Sequence, residues 1–392
     1  GANAFTAIGN ALMAAGVMEG LQQVSEYFIR ASKASMGFET AMTGVAKTTD
    51  LTDEEFAAMS DSISHMSTTM PTTAEELAAG QLGIQKGALV DFTETMAMLG
   101  VSTNMSADEA ATALARFANI TGTSADNYGR LGAVIVGLGN SFATTESEIT
   151  EMATRLASAG TLAGLTEPEI MALAASMSSV GIEAEAGGTA MTQTLSAIET
   201  AVVNGGDKLE SFAKVAGMSA DEFASTWKTN AIGALQSFIV GISELENRGE
   251  SAVLVLDDLG LSGVRQSNML KSLALAADQM TGAVAQANQE WEQNTALTNE
   301  ASRFYDTTEN KLKMMGNAYQ RVSVSIGNAY NPAVKKAAEY GTVLLNGVAD
   351  FVDENPAMIN AVTASVGVMG LAVAGITAYT VATQAATAAS AA

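Results

Sequence analysis

One imidazole and a large supply of carboxylates are all that this chain offers to acid–base chemistry. The single histidine, His65, sits in the stretch DSISHMSTTMP, and the 392 residues include no cysteine. Thiolate nucleophiles and Cys-built zinc sites are thereby excluded. A Ser-His-Asp triad with His65 as its base would need a nucleophile turn of the form Gly-x-Ser-x-Gly, which the sequence lacks. It also lacks an Asp-x-Asp-x-Asp-Gly calcium loop, a Gly-x-x-x-x-Gly-Lys-Ser/Thr phosphate loop and the strand-plus-glycine setting of a dinucleotide turn. His65 reads as an ordinary helix-face residue. The 42 acidic side chains make some facing pair inevitable, so a glycosidase-like pair has almost no specificity as a signal. The clusters Asp53-Glu54-Glu55, Glu75-Glu76 and Asp108-Glu109 each fall in the first turn of an expected helix. Free backbone N–H groups favour negative charge there. Capping accounts for them, and the expected catalytic, cofactor-binding and metal-ligand sets are all empty.

The elements that carry these residues are announced by their caps. Four places combine a Ser or Thr, a Glu three residues on, and flanking apolar residues able to staple the first turn. They are Leu51-Thr52 with Glu55-Phe56, Met105-Ser106 with Glu109-Ala110, Leu165-Thr166 with Glu169-Ile170, and Met218-Ser219 with Glu222-Phe223. The segment MSADE occurs twice, at Met105 and Met218, and reads as recurrent cap chemistry because its flanks do not repeat. Gly122, Gly139-Asn140, Gly187-Gly188 and Gly205-Gly206 read as the C-caps and short turns between helices.

Composition agrees with helices. Hydrophobic residues make up 48% of the chain but aromatics only 5%, and there are 21 Met and four Pro. Ala and Met favour helices, strands favour aromatic and β-branched residues, and proline breaks both. The balance of 19 Lys and Arg against 42 Asp and Glu gives a net charge of -23, which repels a polyanion. No sequence-independent nucleic-acid binding is expected. The first residues lack the basic region of a signal peptide, and a start without Met together with an Ala-rich end suggests a piece of a longer protein.

From about residue 300 the pattern lengthens. Leu312, Met315, Tyr319, Val322 and Ile326 are spaced 3-4-3-4, the seam of a coiled coil or of a long bundle helix. After Pro332 a second seam runs through Val334, Ala337, Gly341, Leu344, Val348 and Phe351. Arg303, Lys311, Lys313, Arg321, Lys335 and Lys336 against Asp306 and Glu309 give this region a local charge of +4, a docking face or a solvated one. No charged residue follows Glu354, and the Gly-, Ala-, Ser- and Thr-rich stretch from Ala357 is long enough for a membrane helix or for a buried bundle helix.

The expected fold is all-α: a multi-helix packed domain, then long amphipathic, coiled-coil-like helices, then a hydrophobic C-terminal helix. The expected divisions are an N-terminal amphipathic segment over 1–48, a helical core over 49–300, long amphipathic helices over 301–354, and an uncharged hydrophobic helix, a candidate membrane segment, over 355–392.

Four segments also carry a family likeness. The first, FETAMTGVAKTTDLTDEEFAAMSDSISHMSTTMPTTAEELAAGQLGIQKGALVDFTETMAMLGVSTNMSADEAATALARFANI, resembles the opening of the tape-measure domain of long-tailed phages. The second, GNSFATTESEITEMATRLASAGTLAGLTEPEIMALAASMSSVGIEAEAGGTAMTQTLSAI, resembles its middle, with Gly181-Ile182 and Gly187-Gly188-Thr189-Ala190 the most recognisable residues. KLKMMGNAYQRVSVSIGNAYNPAVKKAAEY, with Pro332, and ENPAMINAVTASVGVMGLAVAG resemble the later segments of such proteins, so the likeness covers about Phe38 to Gly375 in the family's order.

That resemblance implies a virion protein of the tail-tube lumen, present in several self-associating copies, that scaffolds tube assembly and sets tail length. Its implied partners are tail-tube and baseplate or tail-tip proteins, tail assembly chaperones and, on ejection ahead of the genome, the host membrane. It brings no catalytic residue, and specific nucleic-acid binding is not part of it. Two rival readings remain from the residues: a membrane-active, pore-forming helical protein, and a wall hydrolase built on paired carboxylates.

Overall fold

The computed structural model describes residues 33–47, 51–79, 89–245 and 247–325, with a few isolated positions beside them. Every regular element among the described residues is helical, as the sequence leads one to expect. The chain divides into two compact units, Gly44–Met314 and a second that takes Gly1–Thr43 together with Met315–Ala392.

In the larger unit the helices run α1 (Asp53–Thr69), α2 (Ala74–Ala79), α3 (Leu89–Ser102), α4 (Ala107–Thr121), α5 (Tyr128–Ser141), α6 (Glu146–Leu162), α7 (Glu167–Ser179) and α8 (Ala184–Asn204). They continue as α9 (Asp207–Ala216), α10 (Ala220–Thr229), α11 (Ala231–Ser243), α12 (Ala252–Asp258), α13 (Val264–Leu275), α14 (Ala277–Gln293) and α15 (Ala296–Tyr305).

Local chemistry starts these helices where the sequence indicates. Thr52 and Glu55 close a reciprocal box at α1: the Thr52 N–H donates to Glu55 Oε2 at 2.8 Å and the Glu55 N–H to Thr52 Oγ1 at 3.4 Å. Ser106 and Glu109 do the same at α4, at 2.8 and 3.2 Å. At α7 the Thr166 N–H donates to Glu169 Oε2 at 2.8 Å, and at α10 the Glu222 N–H donates to Ser219 Oγ at 3.3 Å. Each bond satisfies one of the N–H groups that a helix start leaves without a partner. Two further boxes, Thr73 with Glu76 at α2 and Thr145 with Glu148 at α6, have a threonine where the apolar residue before the cap would make the pattern recognisable.

The core is built around two helices. In α5 the run Leu131 to Leu138 is buried without interruption, and in α7 so is Ile170 to Met177. A helix apolar on all sides belongs inside a bundle. Accordingly α7 is enclosed by α5, α6 and α14, and α5 by α3, α6, α7, α14 and α15. Aromatic rings are few but concentrated. Phe212, Phe223, Trp227 and Phe238 bring α9, α10 and α11 together, with the Phe212 and Phe238 rings 5.3 Å apart and Trp227 Nε1 donating to Glu199 Oε2 of α8 at 2.6 Å.

Two of the glycine turns need correction. Gly122 does end α4 in a left-handed conformation, and Gly205-Gly206 does join α8 to α9. Gly139-Asn140, however, lies inside α5, and Gly187-Gly188 lies inside the first turns of α8. Packing explains these glycines. A Cβ on Gly187 would stand 3.0 Å from the Met177 methyl and closer still to Ile182, and one on Gly188 would stand 2.9 Å from Arg155 Cβ. Glycine is required there by close approach of neighbouring side chains, and not by a turn.

In the second unit the described residues are helical over 33–43 and 315–325. Phe38, Met42, Asn317, Ser323 and Val324 are buried, and Ser35 Oγ donates to Asn328 Oδ1 at 2.5 Å. The second apolar seam and the uncharged C-terminal helix expected from the sequence lie outside the described residues. Among the described residues no helix is long and apolar enough to cross a membrane.

Candidate interaction surface

The reactive groups singled out in the sequence are dispersed. His65 lies on the exposed face of α1, where Met59, Ile63 and Met66 form the buried face. Glu55, Glu76, Glu109, Glu148 and Glu169 accept hydrogen bonds from the backbone N–H groups of their own N-caps. This holds the Glu109 carboxyl below the usual range, through the Ser106 N–H first and the Ser106 hydroxyl second. Glu148 is lowered likewise, by the Thr145 N–H first and against a smaller opposing effect of burial. Among the described residues no group of three or more His, Asp or Glu is placed to hold a metal ion.

An open groove of about 400 Å3 runs past the start of α6 and α8, lined by Glu148, Glu151, Arg155, Ser178, Glu183 and Glu185. Three of its charges, those of Glu148, Glu151 and Arg155, are engaged locally. Glu151 pairs with Arg155 at 3.5 Å, and Glu148 also accepts from Thr144 Oγ1 at 3.3 Å and Ser178 Oγ at 3.5 Å. An acid–base pair needs two groups driven apart in pKa across a cleft. The shift here is a capping effect. Where α3 meets α15, groups that the sequence does not mark shift upward: Glu94 on α3, through burial and then Asp91, and the Tyr305 hydroxyl, through burial and then Glu94. The Tyr305 hydroxyl is buried and has no hydrogen-bond partner among the described residues. These shifts record desolvation at the α3–α15 contact.

What the structure presents outward is the first apolar seam. Residues 308–325 are helical, and Leu312, Met315, Tyr319 and Val322 are 58%, 66%, 61% and 54% exposed. Asn317 and Val324, on the other side of the same helix, are buried. The 3-4-3 pattern thus marks an outward apolar stripe, unlike the stripes of α4 or α9, which face the interior. The basic residues beside it are mostly matched by near neighbours: Arg303 with Glu300 at 3.5 Å, Lys311 with Asp306 at 3.0 Å, and Lys313 with Glu309 at 2.8 Å. Such exposed pairs contribute little energy and leave a solvated face. Lys335 and Lys336 lie outside the described residues.

Fold and surface together define a helical packing protein, with an all-α core and an apolar stripe turned to its surroundings. Comparison with known proteins gives that class its family: the chain belongs to the phage-related minor tail protein family, whose model matches residues 60–301. A curated protein of Halomonas phage phiHAP-1, named "Probable tape measure protein", is 22% identical over 360 residues, covering 87% of this chain. The chain spans only 41% of that relative's length. No solved structure matches it. The likeness to tape-measure proteins read from the four sequence segments is borne out.

Proposed function

We propose that this chain is the helical part of a tail tape-measure protein, which lies in the lumen of the tail tube, scaffolds tube polymerisation and sets tail length. The observation that carries this reading is the outward seam of Leu312, Met315 and Val322 on a chain of the minor tail family. A measuring protein must present surfaces along its length to copies of itself and to tube subunits, and a heptad-spaced stripe is such a surface.

The acidic balance fits the same role. A chain of net charge -23 repels DNA in a shared tube and so does not retain the genome that comes after it. We place it in the virion tail, with tube, tail-tip and assembly-chaperone proteins as partners, and propose that it leaves ahead of the genome and meets the host membrane. In-frame removal of whole heptads from the full-length gene tests the central claim. Tails should shorten by about 1.5 Å for each helical residue removed, measured by electron microscopy, and tails of unchanged length would overturn it.

A further inference from the structure

We infer that Asn204 is a site of spontaneous covalent modification, held shut by the last turn of α8 and released when that turn opens. Asn204 is the exposed final residue of α8, and Gly205 follows it. In an Asn-Gly pair the glycine nitrogen meets no Cβ of its own residue as it approaches the asparagine side chain, which makes this the most readily converted of asparagine settings. The chain has one other such pair, Asn346-Gly347, outside the described residues.

The chemistry balances with water alone as co-reactant. The Gly205 amide nitrogen loses its proton and attacks Asn204 Cγ, a C–N bond closes a succinimide, and the side-chain nitrogen leaves as ammonia. Water then opens the ring at either carbonyl, which leaves aspartate or isoaspartate. In the folded chain the attacking nitrogen is occupied, because its N–H donates to the Ala201 carbonyl at 2.8 Å as the closing bond of α8. Attack requires that bond to break and the last turn to unwind.

Conversion is irreversible and disfavours reclosure. It adds a negative charge at the end of α8, where unpaired carbonyls already carry the negative pole of the helix dipole. Isoaspartate also lengthens the backbone at a joint whose next two residues, Gly205 and Gly206, sit at φ 68° and 73°. Since α8 packs against α6, α9 and α13, a chain that has once opened here recloses less well.

The test is peptide mapping with isoaspartate detection on the full chain, incubated at mildly alkaline pH with and without urea. Conversion at Asn204 should be at least about tenfold slower in the folded chain, equivalent to a local opening cost of about 1.4 kcal/mol. In urea it should outpace conversion at Asn140, Asn230 and Asn247. Thr200→Gly, which loosens the same turn at an exposed position, should speed native conversion several-fold without changing the rate in urea. Equal rates with and without urea, no conversion in urea, or a Thr200→Gly rate unchanged in the folded chain would each overturn the inference.

Discussion

Gly241 of α11 lies directly against the backbone carbonyl of Val215 at the end of α9. A Cβ on Gly241 would stand 2.6 Å from the Val215 carbonyl carbon, with the oxygen nearer still. The Arg248 guanidinium then clasps the joint, donating to the carbonyls of Gly241 at 3.1 Å and Val215 at 3.5 Å. Backbone cannot step aside as a side chain can, so Gly241→Ala must push α9 and α11 apart. It should cost at least about 2 kcal/mol, toward the upper range for overpacking, read from the urea midpoint. An unchanged midpoint would mean that the helices do not approach so closely.

Gly316 gives the opposite sign. It sits within the helix of residues 308–325, and nothing lies within 4 Å of where its Cβ would be. Gly316→Ala should therefore raise stability by about 0.5–1 kcal/mol, the helix-interior penalty of glycine, seen as increased helical signal near the transition. A loss would show that the position is crowded.

Phe238 anchors the aromatic cluster. Its side chain is fully buried and its ring is 5.3 Å from that of Phe212. Phe238→Ala should cost about 3–5 kcal/mol, and Phe238→Leu markedly less. Trp227, stacked on Phe223 at 6.5 Å, reports the repacking through its fluorescence. Equal costs for the two variants would indicate that the site is not tightly packed.

How much of this was legible in the residues differs from element to element. The caps at Thr52, Ser106 and Thr166 could be read because a bonding pair and an apolar staple coincide there. Thr145 with Glu148 could not, since Thr144 stands where the staple residue belongs. Glycine misleads for a physical reason: the missing side chain serves a turn at Gly205 and close packing at Gly187, and the sequence shows the same residue in both. The seam from Leu312 to Val322 shows the converse. Spacing established that its side chains share a face, but whether a face turns inward depends on which other face, here that of Asn317 and Val324, is buried. Tyr305 and Glu94 carried no signal at all, because their shifts arise from the partial desolvation that comes when α3 meets α15.

The cap of α6 makes stability depend on acid. Because the folded Glu148 carboxyl lies below its ordinary value, its contribution is complete above the unfolded value of about 4.3 and is lost as pH falls through the folded one. Glu148→Gln should lower stability at neutral pH by roughly 0.5 kcal/mol, scaled for a solvent-screened carboxylate. The gap in melting temperature should close in acid. A gap that persisted at low pH would assign the loss to shape and not to charge.

The outward seam yields the most direct test of association. Leu312, Met315 and Val322 are each more than half exposed, so replacing them with Asp leaves the fold of a single chain nearly untouched. Val324 on the same helix is 5% exposed, and Val324→Asp should instead disturb the helix itself. If copies associate through the seam, each seam substitution should weaken association by roughly fivefold, the equivalent of about 1 kcal/mol of apolar burial. Sedimentation equilibrium would read that loss, and circular dichroism would show helicity retained. Helicity lost together with association would mean that the seam packs within the chain, and association unaffected by all three substitutions would move the contact to another face.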